Sequence, residues 1–189
     1  MKALVIYGTR GGATRQIAEA IGEELGRQGY TAAVRNAKET GGLDVGEYDL
    51  IVVGSSVIMT MWKRQATAFL KRNVRALASK KVALFSSGLA GGDPALADYC
   101  RQRMEKVAAK FPSIKPIGLA YFGSYLDFAS KSRIDRFFGA VKKDMEKKGF
   151  DTSRPIDQRD WTAIRAWARS LADRNDCKGR AEDTANAEV

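Results

Sequence analysis

Short runs of aliphatic and aromatic residues alternate along this chain with longer stretches whose apolar positions recur every three or four residues. Residues 2–7 (KALVIY) predict a strand ending at Gly8. Over 14–28, Ile17, Ala18, Ile21 and Leu25 share one helix face, with Thr14 as a cap candidate and Gly29 as a stop. Residues 31–36 (TAAVRN) predict a weaker strand before a Gly-rich turn. The run DLIVVGSS (49–56) is the kind of strand that a parallel sheet buries on both faces. A helix is predicted over 64–77, with Phe69, Leu70, Val74 and Leu77 on one side. Then follow a strand over 80–88, a helix over 94–111 with Pro94 in its first turn, and a fifth strand over 114–123. Two more helices are predicted, over 131–148 and 161–173, the last introduced by Asp160.

Strands alternating with helices argue for an α/β fold whose parallel sheet is covered on both faces. Five strands fit a doubly wound five-stranded parallel sheet of order 2-1-3-4-5. A chain of 189 residues makes one domain, here expected over 1–174, with 123–150 as a basic amphipathic insertion. Residues 175–189 (polar, net negative) predict a disordered tail. No apolar stretch reaches the roughly 18–20 residues of a membrane span, and the apolar N-terminal run is too short for a signal-peptide core. The expected location is the cytoplasm.

The absence of histidine removes Ser-His-Asp and Cys-His catalysis, HExxH metal sites and His-ligated haem. Two cysteines, Cys100 and Cys177, make neither a disulfide framework nor a Cys-rich zinc site, and neither has a CxxC partner. Asp98, Asp127 and Asp135 read as solvent or salt-bridge residues. Any chemistry therefore runs on carboxylates, hydroxyls, backbone amides or a borrowed cofactor. The formal charge of +10 is unevenly placed. Residues 1–60 carry 6 basic and 7 acidic side chains, whereas 61–81 carry seven basic and no acidic ones, and 131–148 carry 7 basic against 3 acidic.

In a doubly wound sheet, ligands bind at the switch point outside the carboxyl ends of the strands. The loop at that place is Thr9, Arg10, Gly11, Gly12, Ala13 and Thr14, leading from Gly8 into the first helix. Hydroxyls, amides freed by glycines and a helix N-terminus converge there, which is a ready phosphate cradle. The alternative is a plain strand-to-helix turn. The loop is neither GxGxxG nor a Walker motif.

The T-x-x-G-x-T arrangement after the first strand resembles the FMN-phosphate loop of flavodoxins. The longer segment IYGTRGGATRQIAEAI (6–21) resembles the subgroup that contains the menaquinone-dependent protoporphyrinogen oxidases. GSSVIMTMWKRQATAFLKR (54–72), SYLDFASKSRIDRFF (124–138) and RDWTAIRAWARSLA (159–172) are similar to further segments of that subgroup, in the same order. The resemblance covers the chain to about residue 174 and implies a flavodoxin-like fold with FMN as cofactor. It implies a phosphate site at 9–14 and a flavin ring between two loops: Ser55, Ser56, Val57 and Trp62 on one side, Ser87, Gly88, Leu89, Ala90 and Gly91 on the other. Trp62 is the stacking candidate, the alternative being an anchor for the following helix. The second loop lacks the Tyr that flavodoxins usually place there, which leaves one ring face free for an organic substrate or quinone.

The implied activity is two-electron oxidation of a cyclic organic substrate with electrons passed to a quinone. The competing reading is an electron carrier that docks an acidic redox partner. Within 131–148, Ile134, Phe137, Phe138, Val141 and Met145 form one apolar stripe, with cations elsewhere. That pattern fits an anionic membrane surface, so peripheral attachment at the inner membrane face, or a stripe packed on the sheet. No nucleic-acid module is present. Among cations, Arg10 is the only one expected near the phosphate loop.

Overall fold

The computed structural model describes residues 1–58, 61–128 and 135–185. Strands β1 (Lys2–Gly8), β2 (Thr31–Asn36), β3 (Leu50–Ile58), β5 (Lys81–Ser87) and β6 (Gly118–Phe122) form a parallel sheet of order β2-β1-β3-β5-β6. This is the doubly wound order expected of the five main strands. A short β4 (Met61–Trp62) folds back antiparallel on β3, and β7 (Tyr125–Leu126) pairs antiparallel with β8 (Ile156–Asp157). These three two-residue strands are too short to leave a periodicity in the sequence.

Because successive strand residues point to opposite faces, each central strand feeds two cores. Val5, Leu50, Val52, Ala83 and Phe85 pack with Ile17, Ile21 and Leu25 of α1 (Ala13–Arg27) and Ile164, Ala168 and Leu171 of α6 (Trp161–Ala185). Leu4, Ile6, Ile51, Val53, Val82 and Leu84 pack on the other face. Their partners there are Phe69 and Leu70 of α2 (Arg64–Arg72), Leu77 of α3 (Val74–Leu77) and Met104 of α4 (Ala97–Ala108). Two-sided burial is why the strands read as unbroken apolar runs.

Several boundaries differ from expectation. The helix expected over 64–77 is two, because Asn73 turns its side-chain amide onto the Phe69 carbonyl at 2.9 Å and competes with the backbone there. The helix expected from 94 begins at Ala97. Asp93 instead accepts from the Ala95 amide at 2.9 Å and starts a single 3-10 turn at Pro94. The fifth main strand begins at Gly118, beyond Pro116, which has no N–H to give a ladder. The last helix runs on to Ala185, through residues expected to be a disordered tail. That segment has no proline to stop the helix, although Gly179 and two aspartates lower its propensity.

Two side-chain clamps fix α1. Glu24, 3% exposed, accepts from Arg169 of α6 at 3.0 Å, Arg27 at 3.2 Å and Gln28 at 3.3 Å. Burial pushes its carboxyl up, yet the hydrogen bonds from Arg169, Arg27 and Gln28 outweigh burial and hold it below the usual range. Near the other end of α1, Gln16 accepts from the Arg159 guanidinium.

The basic insertion contains β7 and α5 (Asp135–Lys147). Met145 is 5% exposed and Val141 is half-buried, so the described end of the apolar stripe packs on the domain, while Lys142, Lys143, Lys147 and Lys148 are exposed. Lys131, Arg133 and Ile134 lie outside the described residues, as do the side chains of Phe137 and Phe138. Among the described residues no helix is long and apolar enough to cross a membrane.

Candidate functional site

A cleft opens where the carboxyl ends of β1, β3, β5 and β6 meet, at the switch point between β1 and β3. Its empty volume is ≈ 670 Å³. Its walls divide by chemistry. Thr9, Arg10, Gly11, Ala13 and Thr14 line one end. Ser56 and Val57 come from the end of β3, Ser87, Gly88 and Leu89 from the end of β5, and Ser124, Tyr125 and Leu126 from the segment after β6. Val141 of α5 closes the apolar end.

The polar end is an amide cradle. Gly12 is the N-cap of α1 at φ 94°, in the left-handed region that glycine enters at no steric cost. No side chain caps this helix. The Thr9 hydroxyl accepts from the Gly12 amide at 3.0 Å, and the first helical bond runs from Gln16 N–H to the Gly12 carbonyl at 3.2 Å. The amides of Ala13, Thr14 and Arg15 therefore have no intrahelical acceptor, and the helix dipole adds partial positive charge. The Thr14 hydroxyl is fully buried and shares a 2.8 Å hydrogen bond with the Ser87 hydroxyl, which ties the β1 loop to the β5 loop across the cleft floor.

More cations stand here than expected. Lys63 packs beneath the loop: a Cβ on Gly8 would lie 3.2 Å from the Lys63 Cβ. Burial, then the nearby charges of Arg10 and Lys38, lower the pKa of the Lys63 ammonium. Arg10 is thus accompanied by two lysines, one from the turn after β2 and one from the start of α2. Sequence counting assigned Lys63 to a remote basic segment because it could not see α2 return under the loop.

The β3 side is held by a hairpin. Val57 pairs with Trp62, whose indole N–H donates to the Ser86 hydroxyl at 2.7 Å, and the ring is partly buried against the α2-side core. Trp62 is not among the residues that line the cleft. Ser55 lies beneath the hairpin, its hydroxyl accepting from the Lys63 amide at 2.8 Å and donating to the Ser56 carbonyl at 3.1 Å. Ser56 Oγ is a buried atom without a protein partner, at the cleft wall.

On the β5 side, Gly88 admits the Tyr121 hydroxyl, which lies 2.5 Å from where a Cβ would stand. Burial pushes the Tyr121 phenol up to about 12, so it stays protonated. Ala90 and Gly91 belong to the 3-10 turn Leu89–Gly92, and Ala90 faces two neighbouring cavities on the α4 side rather than the cleft. Burial also raises the Cys100 thiol pKa, with Asp93 adding to it, so this thiol is unreactive.

Ser124, Tyr125, Leu126 and Val141 were not expected at the site. The signal available was their position: Tyr125 follows the last sheet strand at its carboxyl end, where loops build sites. Reading 123–150 as one basic insertion hid it. Among the described residues no group of acidic or cysteine side chains is arranged to hold a metal.

The family model described as flavodoxin domain matches residues 4–153, most of the chain and every residue that lines the cleft. The chain belongs to the flavodoxin domain family. It is 26% identical, over 91% of this chain and 95% of the relative, to protoporphyrinogen IX dehydrogenase [quinone] of Escherichia coli strain K12. Among solved structures, a flavodoxin from the domain Archaea covers 92% of this chain and 98% of its own, with TM-score 0.54 and 18% identity. A short-chain flavodoxin associated with a bacterial microcompartment covers 76% of this chain and 99% of its own, with TM-score 0.53 and 16% identity. The fold of this flavodoxin-domain chain is thus the expected one.

Proposed function

We propose that the chain is an FMN-dependent oxidoreductase that oxidises a cyclic organic substrate and passes the electrons to a quinone. The observation that carries the reading is the cleft, with an amide-and-cation cradle at one end and an apolar slot at the other. An FMN phosphate fits the cradle of Thr9, Arg10, Gly11, Gly12, Ala13 and Thr14, with Lys63 and Lys38 adding charge. The flavin ring fits between the loop at 55–57 and the loop at 87–91, against Val57, Leu89, Tyr125 and Leu126. Bound FMN supplies the two-electron redox chemistry. The protein's own groups bind the phosphate, orient the ring through backbone atoms and exclude water with apolar side chains. The Tyr121 phenol, held neutral, supports the β5 loop from below. The similarity to a quinone-linked protoporphyrinogen dehydrogenase over 91% of this chain supports the choice of substrate and acceptor classes.

A quinone acceptor places the working protein at an anionic membrane surface, and the exposed lysines of 142–148 are the contact we propose. A carrier reading has its own support. Arg64, Lys71 and Arg75 project from α2 and α3 without an acidic partner among the described residues, a surface suited to an acidic redox protein. Titration of FMN with the purified protein, followed by anaerobic turnover of protoporphyrinogen with a menaquinone analogue, separates the readings. Flavin quenching with turnover supports the enzyme, and quenching without turnover supports the carrier. A colourless protein that leaves FMN emission unchanged removes both.

Lys63 allows a prediction with opposite signs for the free and bound protein. Its lowered pKa means that the folded protein without ligand disfavours the ammonium. Stability therefore rises as pH climbs through that lowered value, and Lys63→Met should raise the apo Tm slightly near neutrality. Bound phosphate reverses the balance, so the same variant should bind FMN about 3–10-fold more weakly, with a shallower salt dependence. Fluorescence titration at two ionic strengths, beside thermal melts, checks both. A variant with weaker FMN binding and a lower apo Tm would refute the electrostatic account.

A further inference from the structure

The ring of Tyr125 stands at the cleft although its residue is 38% exposed, and several independent contacts hold it there. The Arg159 guanidinium lies over both the Tyr125 and the Trp161 rings, 5.2 Å and 4.5 Å from their centroids. Its side chain is only 6% exposed. Asp157 accepts from Arg159 Nε and Nη2, both at 2.7 Å, a two-pronged fork, and also from the Arg159 amide at 3.0 Å. Gln16, one turn into α1 from the cradle, accepts from the same guanidinium. The backbone closes the arrangement: Tyr125 is paired with Asp157 across β7 and β8, and Gln158 N–H donates to the Ser124 carbonyl at 2.9 Å. A Cβ on Gly123 would collide with the Gln158 carbonyl, so only glycine lets the hairpin seat this closely.

A buried arginine side chain with a forked carboxylate, two aromatic rings within cation–π reach and a bond to the cradle helix is more than exposed surface chemistry requires. We propose that Tyr125 is the aromatic wall against which the flavin ring rests and that Arg159 is its positioning residue, holding that wall in register with the phosphate cradle through Gln16. This deepens the FMN reading and rests on it. The consequence is a division of labour within the site: the cradle sets whether the cofactor binds, and the Tyr125–Arg159 pair sets how its ring lies. The segment after β6 thus takes the place of the aromatic that the β5 loop lacks.

The test uses the full chain and FMN itself, with two readouts besides turnover: the emission of bound flavin and its visible absorption envelope. Tyr125→Leu should leave stoichiometric binding in place with Kd raised about 3–10-fold, and bound-flavin emission should rise several-fold. Tyr125→Phe should restore the quenching, because the ring and not the hydroxyl carries it. Arg159→Lys keeps the charge and loses the fork and the flat stacking surface, so it should reproduce the spectral change of Tyr125→Leu. Combining the two should add little to either alone. Asp157→Asn, which loosens the same guanidinium without touching the cleft, is the second route should Arg159→Lys fold poorly. Unchanged emission in Tyr125→Leu would overturn the aromatic wall and return the quenching to another residue, Trp62 first among them. A spectral change in Tyr125→Leu with wild-type spectra in both Arg159→Lys and Asp157→Asn would overturn the positioning role. Failure of the wild-type chain to bind FMN removes the FMN reading itself, and this inference with it.

Discussion

Gly12→Asp should abolish FMN retention, weakening binding by at least about 100-fold, while the domain remains folded. Gly12 has no side chain between α1 and the cleft, its φ is 94°, and nothing lies within 4 Å of where its Cβ would be. The aspartate therefore fits sterically and tolerates the left-handed conformation at a cost of about 1 kcal/mol, a loss of roughly 2–4 °C in Tm for a chain of this size. Its carboxylate would then occupy the helix N-terminus, accept from the free amides of α1 and repel a phosphate dianion. Gly12→Ala is the discriminating control, since it carries the same backbone strain without the charge, and it should retain FMN with at most a modest loss. Gly41→Asp, an exposed change of equal charge away from the cleft, should bind as wild type. If Gly12→Asp still retained FMN stoichiometrically, the phosphate would have to sit elsewhere.

The largest effect on stability is expected at Phe85. Its ring is fully buried, with the Phe122 centroid at 5.9 Å and the Trp167 centroid at 6.2 Å, and it joins the sheet to α6. Phe85→Ala should cost about 3–5 kcal/mol, on the order of 10–15 °C in Tm. Gly54, its register partner on β3, gives the prediction a sharper form. A Cβ on Gly54 would run into the Phe85 ring, which Phe122 and Trp167 already pack against. Gly54→Ala should therefore destabilise strongly by overpacking. In the Phe85→Ala background the added methyl enters the vacated space, so the double variant should be more stable than the sum of the singles. Thermal melts of the four proteins give the coupling directly, and simple additivity would contradict this account of the contact.

The sheet was legible in the sequence because its strands bury both faces, and LIVV at 50–53 or VALF at 82–85 admits little else. The phosphate loop was legible for a different reason: three glycines and two threonines lie within seven consecutive residues that lead directly into an amphipathic helix. What could not be read depended on contacts between distant segments. Arg159 and Gln16 are 143 residues apart, and no local pattern marks them as partners. Lys63 counted as part of a basic stretch until α2 folded back under Gly8. Tyr125 fell inside the basic insertion expected over 123–150. The break at Asn73 turned on one side-chain amide choosing a carbonyl, a choice between nearly balanced alternatives that helix periodicity does not record.

The first helix carries the cradle at its start, receives Arg159 one turn later and is pinned by Arg169 through Glu24 near its end. The last two depend on partners far along the chain. On a ribosome, the glycine loop is made well before Arg159 and Arg169, whose contacts with its helix span 143 and 145 residues of chain. A nascent chain that holds the loop but not yet these two arginines therefore carries the candidate cradle on an unclamped helix.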